Sequence, residues 1–169
     1  METALEHTLT SFYKTGMIAY MDAHPEDFEE AIELAISNKQ PYSWRAAWLL
    51  WSCMQKNDVR VQSHIKNIID AIKDKKDGHQ RDLLIILLQM ELNEEYEGFL
   101  FHICVDIWEK INKKPSARIT AFKNIIKIAK KYPELSNEVI FFTQNQYLES
   151  LSPGVKKSIS KMIMEFTAK

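Results

Sequence analysis

Pro41-Tyr42-Ser43-Trp44-Arg45-Ala46-Ala47-Trp48-Leu49-Leu50-Trp51 is the stretch that decides how this chain folds. A proline ahead of a run of helix formers reads as a helix opening, because Pro in a first turn loses no hydrogen bond and presets φ. A basic residue stands in that first turn and an apolar stripe follows it. Similar openings return at Gln80-Arg81, at Pro115-Ser116-Ala117-Arg118 and at Ser152-Pro153-Gly154-Val155-Lys156. The four basic residues, Arg45, Arg81, Arg118 and Lys156, follow one another at nearly equal intervals along the chain. Their spacing falls within the period of about 20–50 residues that marks stacked repeats, each burying its apolar face only against its neighbours.

Aligned on the basic residue, the third position after it is Trp48, Leu84, Ala121 or Ile159, and the seventh is Ser52, Leu88, Ile125 or Ile163. These positions share one face of a helix, which must pack on a partner helix and on the next repeat. Proline and Asp/Asn/Ser punctuation divides the chain into about nine helical segments. They span approximately 8–22, 25–37, 41–56, 58–75, 78–92, 94–113, 115–131, 134–150 and 153–167, and their short connections make them antiparallel pairs. Pro25, Pro41, Pro115 and Pro153 are placed to start helices, and Pro133 to follow the stop at Lys130-Lys131. The first pair fits the period poorly, since Lys14 precedes Arg45 by a shorter interval than separates the later basic residues. Residues 1–40 are therefore expected to be a degenerate N-terminal cap and 41–167 the repeats, in a single domain over 1–169.

The chain has 169 residues, 46% of them hydrophobic and 27% charged, with Gly 4 and Pro 5. That balance suits one folded, helical domain and disfavours both disorder and turn-rich β structure. The net charge of −1 supplies no global attraction to nucleic acid or an anionic membrane. Met1–His7 shows neither a basic nor a continuous apolar leader segment, and the apolar run Leu83–Leu88 is far shorter than the roughly 20 residues that cross a bilayer. A cytoplasmic protein without membrane contact is expected, with Cys53 and Cys104 as buried, reduced thiols.

The openings at 41–48, 115–122 and 152–157 resemble those of HEAT-like (armadillo-type) α-helical repeat proteins. As a whole the chain is similar to small members of that family from Bacteroidetes-type bacteria. The resemblance implies an all-α fold, a right-handed α-α superhelix (solenoid) of helical hairpins, in which second helices line the concave side where partners bind. Transferred here, those helices are 25–37, 58–75, 94–113 and 134–150, and the function implied is a non-catalytic protein-protein interaction module. Glu30, Lys66, His102 and Asn145 are the positions expected to project from them toward a protein or peptide partner.

The competing expectation is nucleic-acid binding, since some alkylpurine DNA glycosylases also have HEAT-like folds. Residues 110–131 carry eight bases and no acid, and Lys123, Lys127 and Lys130 fall on one helical face that could follow a phosphate backbone. The segment lacks interleaved aromatics for base stacking, so a solvated outer face explains it as well. The acids Glu26, Asp27, Glu29, Glu30 and Glu33 open a helix, where negative charge favours the dipole. Trp44, Trp48 and Trp51 make one stripe, expected to be core, with Trp44 near a rim and partly exposed. Repeated Arg45, Arg81, Arg118 and Lys156 suggest either carbonyl-binding struts between helices or a ladder for anions. His7, His24, His64, His79 and His102 show no metal-ligand spacing, and His102 pairs with Asp106 at i+4. No phosphate loop or nucleophile elbow occurs, so no metal, cofactor or catalytic residue is assigned.

Overall fold

The computed structural model describes residues 1–168; Lys169, the last residue of the expected domain, lies outside them. The described residues contain no strand. In chain order the helices are α1 (Ala4–Ser11), α2 (Lys14–Ala23), α3 (Phe28–Ile36), α4 (Tyr42–Cys53), α5 (Val59–Gln62), α6 (Ile65–Ala71), α7 (Asp77–Leu88), α8 (Glu94–Glu109), α9 (Pro115–Ala129), α10 (Ser136–Phe141), α11 (Asn145–Leu148) and α12 (Pro153–Thr167). Short 3-10 turns occupy Pro25–Asp27, Ile72–Asp74 and Pro133–Leu135. The chain packs as two compact units, Met1–Tyr96 and the part from Glu97 onward.

The four repeat openings fold as expected: α4, α7, α9 and α12 each carry one of the aligned basic residues. Pro115 and Pro153 take the first turns of α9 and α12, whereas Pro41 caps α4 behind a cis peptide from Gln40. Three of the nine expected segments are broken, which raises the count among the described residues to twelve helices. The segment 8–22 splits at Phe12-Tyr13, where α1 ends in extended backbone. Gly16 fits this break, since a Cβ there would sit 3.1 Å from the Phe12 Cβ. The segment 58–75 becomes α5, α6 and a 3-10 turn, and 134–150 becomes a 3-10 turn, α10 and α11.

In the first unit α4 is the hub, packed on α3 and α7 and flanked by α1 and α2. Its buried face is Ser43, Ala46, Ala47, Leu49 and Leu50. Small side chains there let neighbouring helices approach, and Ala31, Ile32 and Ala35 of α3 and Leu83, Leu84 and Leu87 of α7 complete the core. The tryptophan stripe is not the core face, correcting the sequence expectation: Trp48 and Trp51 are half-buried and Trp44 is 43% exposed. Two stripes overlap on α4, and the one of small and aliphatic residues packs closer.

The connections in this unit are tied by polar groups. Lys75, buried, donates from Nζ to the Ile36 and Ser37 carbonyls at 3.0 and 2.7 Å and to Asn38 Oδ1 at 2.5 Å, capping α3. Beside it His79 Nε2 contacts the Ala35 carbonyl at 2.7 Å. Asn57 takes φ 51° in the turn after α4; its N–H donates to the Gln89 carbonyl at 2.7 Å, and its Oδ1 accepts from Glu91 N at 3.1 Å. The acidic run at the start of α3 also ties helices together. Asp27 accepts from Tyr20 Oη at 2.5 Å, Glu29 lies 2.7 Å from His64 Nε2, and Glu30 accepts from the Thr3 hydroxyl.

In the second unit α9 is the most buried helix, with Ala117, Ala121, Phe122, Ile125, Ile126 and Ala129 packed toward α10 and α12. Trp108 lies against Phe122 with ring centroids 4.7 Å apart and donates its indole N–H to the Phe142 carbonyl at 2.9 Å. Arg118 is fully buried. Its Nε donates to the Trp108 carbonyl at 2.9 Å, Nη2 to the Tyr147 carbonyl at 2.7 Å, and its guanidinium stacks 4.5 Å from the Trp108 ring. Burial lowers its pKa, as expected for a cation held by neutral oxygens.

Candidate functional site

The break between α1 and α2 sets the site. Phe12 and Tyr13, placed there with extended backbone, stand over the exposed edge of α4. Together with Lys14 and Met17 of α2, Trp44, Arg45 and Trp48 of α4, and Arg81 of α7, they line a cleft of about 310 Å³. Tyr13 is 91% exposed and Phe12 51%, so the rim is aromatic as well as the wall. Behind the cleft wall, Trp51 meets Trp48 edge-on with ring centroids 5.9 Å apart.

Three cations converge on this aromatic wall. Arg45 Cζ lies 5.0 Å from the Trp44 ring centroid and Lys14 Nζ 5.2 Å from that of Trp48, both within cation-π range. Arg45 Nη1 donates to the Leu9 carbonyl at 2.9 Å, near the end of α1, while its buried Nε has no hydrogen-bond partner. Arg81 donates from Nε and Nη2 to Asp82 Oδ1 at 3.2 and 3.0 Å. The same oxygen accepts the Trp51 indole N–H at 3.0 Å, and Oδ2 is buried without a partner. Burial pushes the Asp82 carboxyl pKa up, against the Arg81 charge and the hydrogen bonds that lower it.

The aligned basic residues thus divide in role. Arg118 is a strut inside the second unit, Arg45 ties α4 to α1 while facing the cleft, and Arg81 sits in the cleft wall over a buried carboxylate. Lys156 is half-buried in the first turn of α12.

The nominated contact residues are placed as follows. Glu30 of α3 is half-buried beside Thr3, and Lys66 of α6 is exposed and paired with Asp70 at 3.0 Å. In the second unit His102 of α8 is exposed, 3.8 Å from Asp106, and Asn145 is exposed at the start of α11. None of the four belongs to the cleft wall. On α9, Lys123 is exposed and Lys127 half-buried, and Lys130 is exposed at the cap. Within the basic set of 110–131, Arg118 is internal and Lys131 pairs with the buried Glu97 at 2.8 Å.

Sequence reading missed Phe12, Tyr13 and Lys14, because their part in the site depends on a helix break. Trp44 was the available signal: an aromatic in a first turn beside Arg45. Among the described residues no group of three or more metal-ligating side chains occurs. Cys53 and Cys104 are free thiols, and burial pushes Cys53 up to about 11. No helix among the described residues is long and apolar enough to cross a membrane.

An all-helical chain in which similar helix openings recur with an aligned cation, at Arg45, Arg81, Arg118 and Lys156, belongs to the class of α-helical repeat proteins. More particularly, the chain belongs to the HEAT repeat domain family, whose model matches residues 1–166, including the stretch 1–40 that fits the period poorly. No curated protein and no solved structure matches the chain.

Proposed function

We propose that this HEAT repeat domain is a non-catalytic protein-binding module, and that the cleft of Phe12, Tyr13, Trp44, Trp48, Lys14, Arg45 and Arg81 is its contact site in the first unit. The observation that carries this is the exposure of three large aromatics beside three cations. Trp, Tyr and Arg are the residue types that concentrate binding energy at protein interfaces, because they combine a large apolar area with directed hydrogen bonds. HEAT repeats are helical scaffolds often used for protein interaction, which agrees with this use. Glu30 and Lys66, and separately His102 and Asn145, are proposed as secondary contact positions.

The test is site-specific photocrosslinking in living cells, with a benzophenone amino acid at Tyr13, Lys66, His102, Asn145 or Lys123. Discrete protein adducts at position 13 that vanish in the Trp44→Ala background support the cleft. Adducts confined to positions 66, 102 and 145 would move the site to the second helices. Crosslinks to nucleic acid at Lys123, weakened by charge reversal at Lys123, Lys127 and Lys130, would replace the proposal with the nucleic-acid reading.

A further inference from the structure

Resting on the protein-binding reading, we infer that the cleft takes an acidic peptide segment, with a carboxylate next to an aromatic or large aliphatic side chain. Charge decides the sign. Lys14 has no carboxylate within 4 Å among the described residues, Arg45 spends its hydrogen bond on a neutral carbonyl, and Arg81 meets only Asp82. Asp82 is 1% exposed, so it offers nothing to a ligand, while the half-exposed Arg81 still faces the cleft.

A cationic ligand is disfavoured for a second reason. Tryptophan faces attract cations, yet the Trp44 ring is already occupied by Arg45 and the Trp48 ring by Lys14. An incoming ammonium would have to displace a resident cation and would be repelled by the others. The arrangement presents aromatic edges and cationic heads together, which matches a carboxylate beside an apolar side chain.

A polyanion is disfavoured by the rest of the unit. Residues 1–40 carry eight acids against Lys14 and Lys39, a net charge of −6 that repels a long phosphate chain while leaving short-range contacts in the cleft intact. The volume of about 310 Å³ is at the small end of ligand pockets, sufficient for one aromatic side chain and its neighbouring carboxylate.

Indole N–H NMR on the whole, ¹⁵N-labelled chain tests this, with the four tryptophan signals assigned by single Trp→Phe variants and Trp108 as a buried control. The probes are acetyl-Asp-Phe-Asp-Leu-amide, its Asn and Lys counterparts, and oligothymidylate. The acidic peptide is expected to shift the Trp44 and Trp48 signals, to leave Trp108 unmoved, and to bind about tenfold tighter than the Asn peptide, a gap that closes at high salt. Lys14→Gln, an exposed change that leaves the core intact, is expected to weaken the acidic peptide selectively. Equal or tighter binding of the Lys peptide overturns the inference and leaves the protein-binding reading standing. If only oligothymidylate moves Trp44, both fall; if no probe moves it, the acidic-segment inference falls and the crosslinking decides the rest.

Discussion

Arg118 shows how little of a residue's role is carried by its letter. It shares its repeat position with Arg45 and Arg81, yet it alone is fully buried, with neutral carbonyls as partners. Arg118→Ala would strand the Trp108 and Tyr147 carbonyls, each costing about 1–3 kcal/mol when buried and unpaired. Urea denaturation should show a loss of about 3 kcal/mol or more, and Arg118→Lys should recover little, because an ammonium cannot reproduce the planar fork. An unchanged midpoint for either variant would refute the strut. His79 supplies a pH test. Burial lowers its pKa from 6.5, against the pull of the Ala35 carbonyl, so the folded state binds its proton less readily than the unfolded chain. Its contribution to stability is present above pH 6.5 and falls away as pH drops through the lower folded value. Thermal melts of the wild type should decline across that window more steeply than those of His79→Gln; parallel profiles would exclude the effect.

At the scale of elements, the openings were legible because each depends on local signals: a cap, a proline and a helical apolar stripe. The breaks within the second helices were not: the one between α5 and α6 falls at Ser63-His64, where the His64 side chain reaches Glu29 of α3. The turn before α5 is likewise held from a distance, by Asn57. Its left-handed backbone joins α4 to α5 only because its side chain and N–H also hold the end of α7, at Gln89 and Glu91, far along the chain. Asn57→Ala should cost about 1–2 kcal/mol by chemical denaturation, and Asn57→Gly should restore the backbone share of that loss. Equal stability of Ala and Gly variants would mean that the backbone conformation is not the cause. Next to it Asp58 caps α5, and hydrogen bonds from the Arg60 guanidinium hold its carboxyl down to about 2, with the Gln55 and Arg60 amides assisting. That support exists above pH 3.8 and disappears as pH falls toward 2. The cleft was half legible for the same reason: Trp44, Arg45 and Arg81 follow the repeat, whereas Phe12, Tyr13 and Lys14 meet them only across the break after α1.

For the molecule as a whole, the even recurrence of Arg45, Arg81, Arg118 and Lys156 was sufficient to read stacked helical repeats, which the family match over residues 1–166 bears out, and the net charge of −1 hid an uneven distribution. The acids of 1–40 turn out to knit α1, α2, α3 and α6 together, and the bases of 110–131 are partly internal. Net charge therefore described neither surface. Lys75 has a practical consequence. It is the one buried lysine among the described residues, wrapped by three oxygens at the end of α3. An amine-acylating reagent should modify Lys14 and Lys66 promptly in the folded protein, while Lys75 reacts only in molecules that have transiently opened. Peptide mapping of Lys75 acylation against time would then read the opening frequency of the first unit directly, and the acylation rate would serve as a clock for breathing motions that no equilibrium melt resolves.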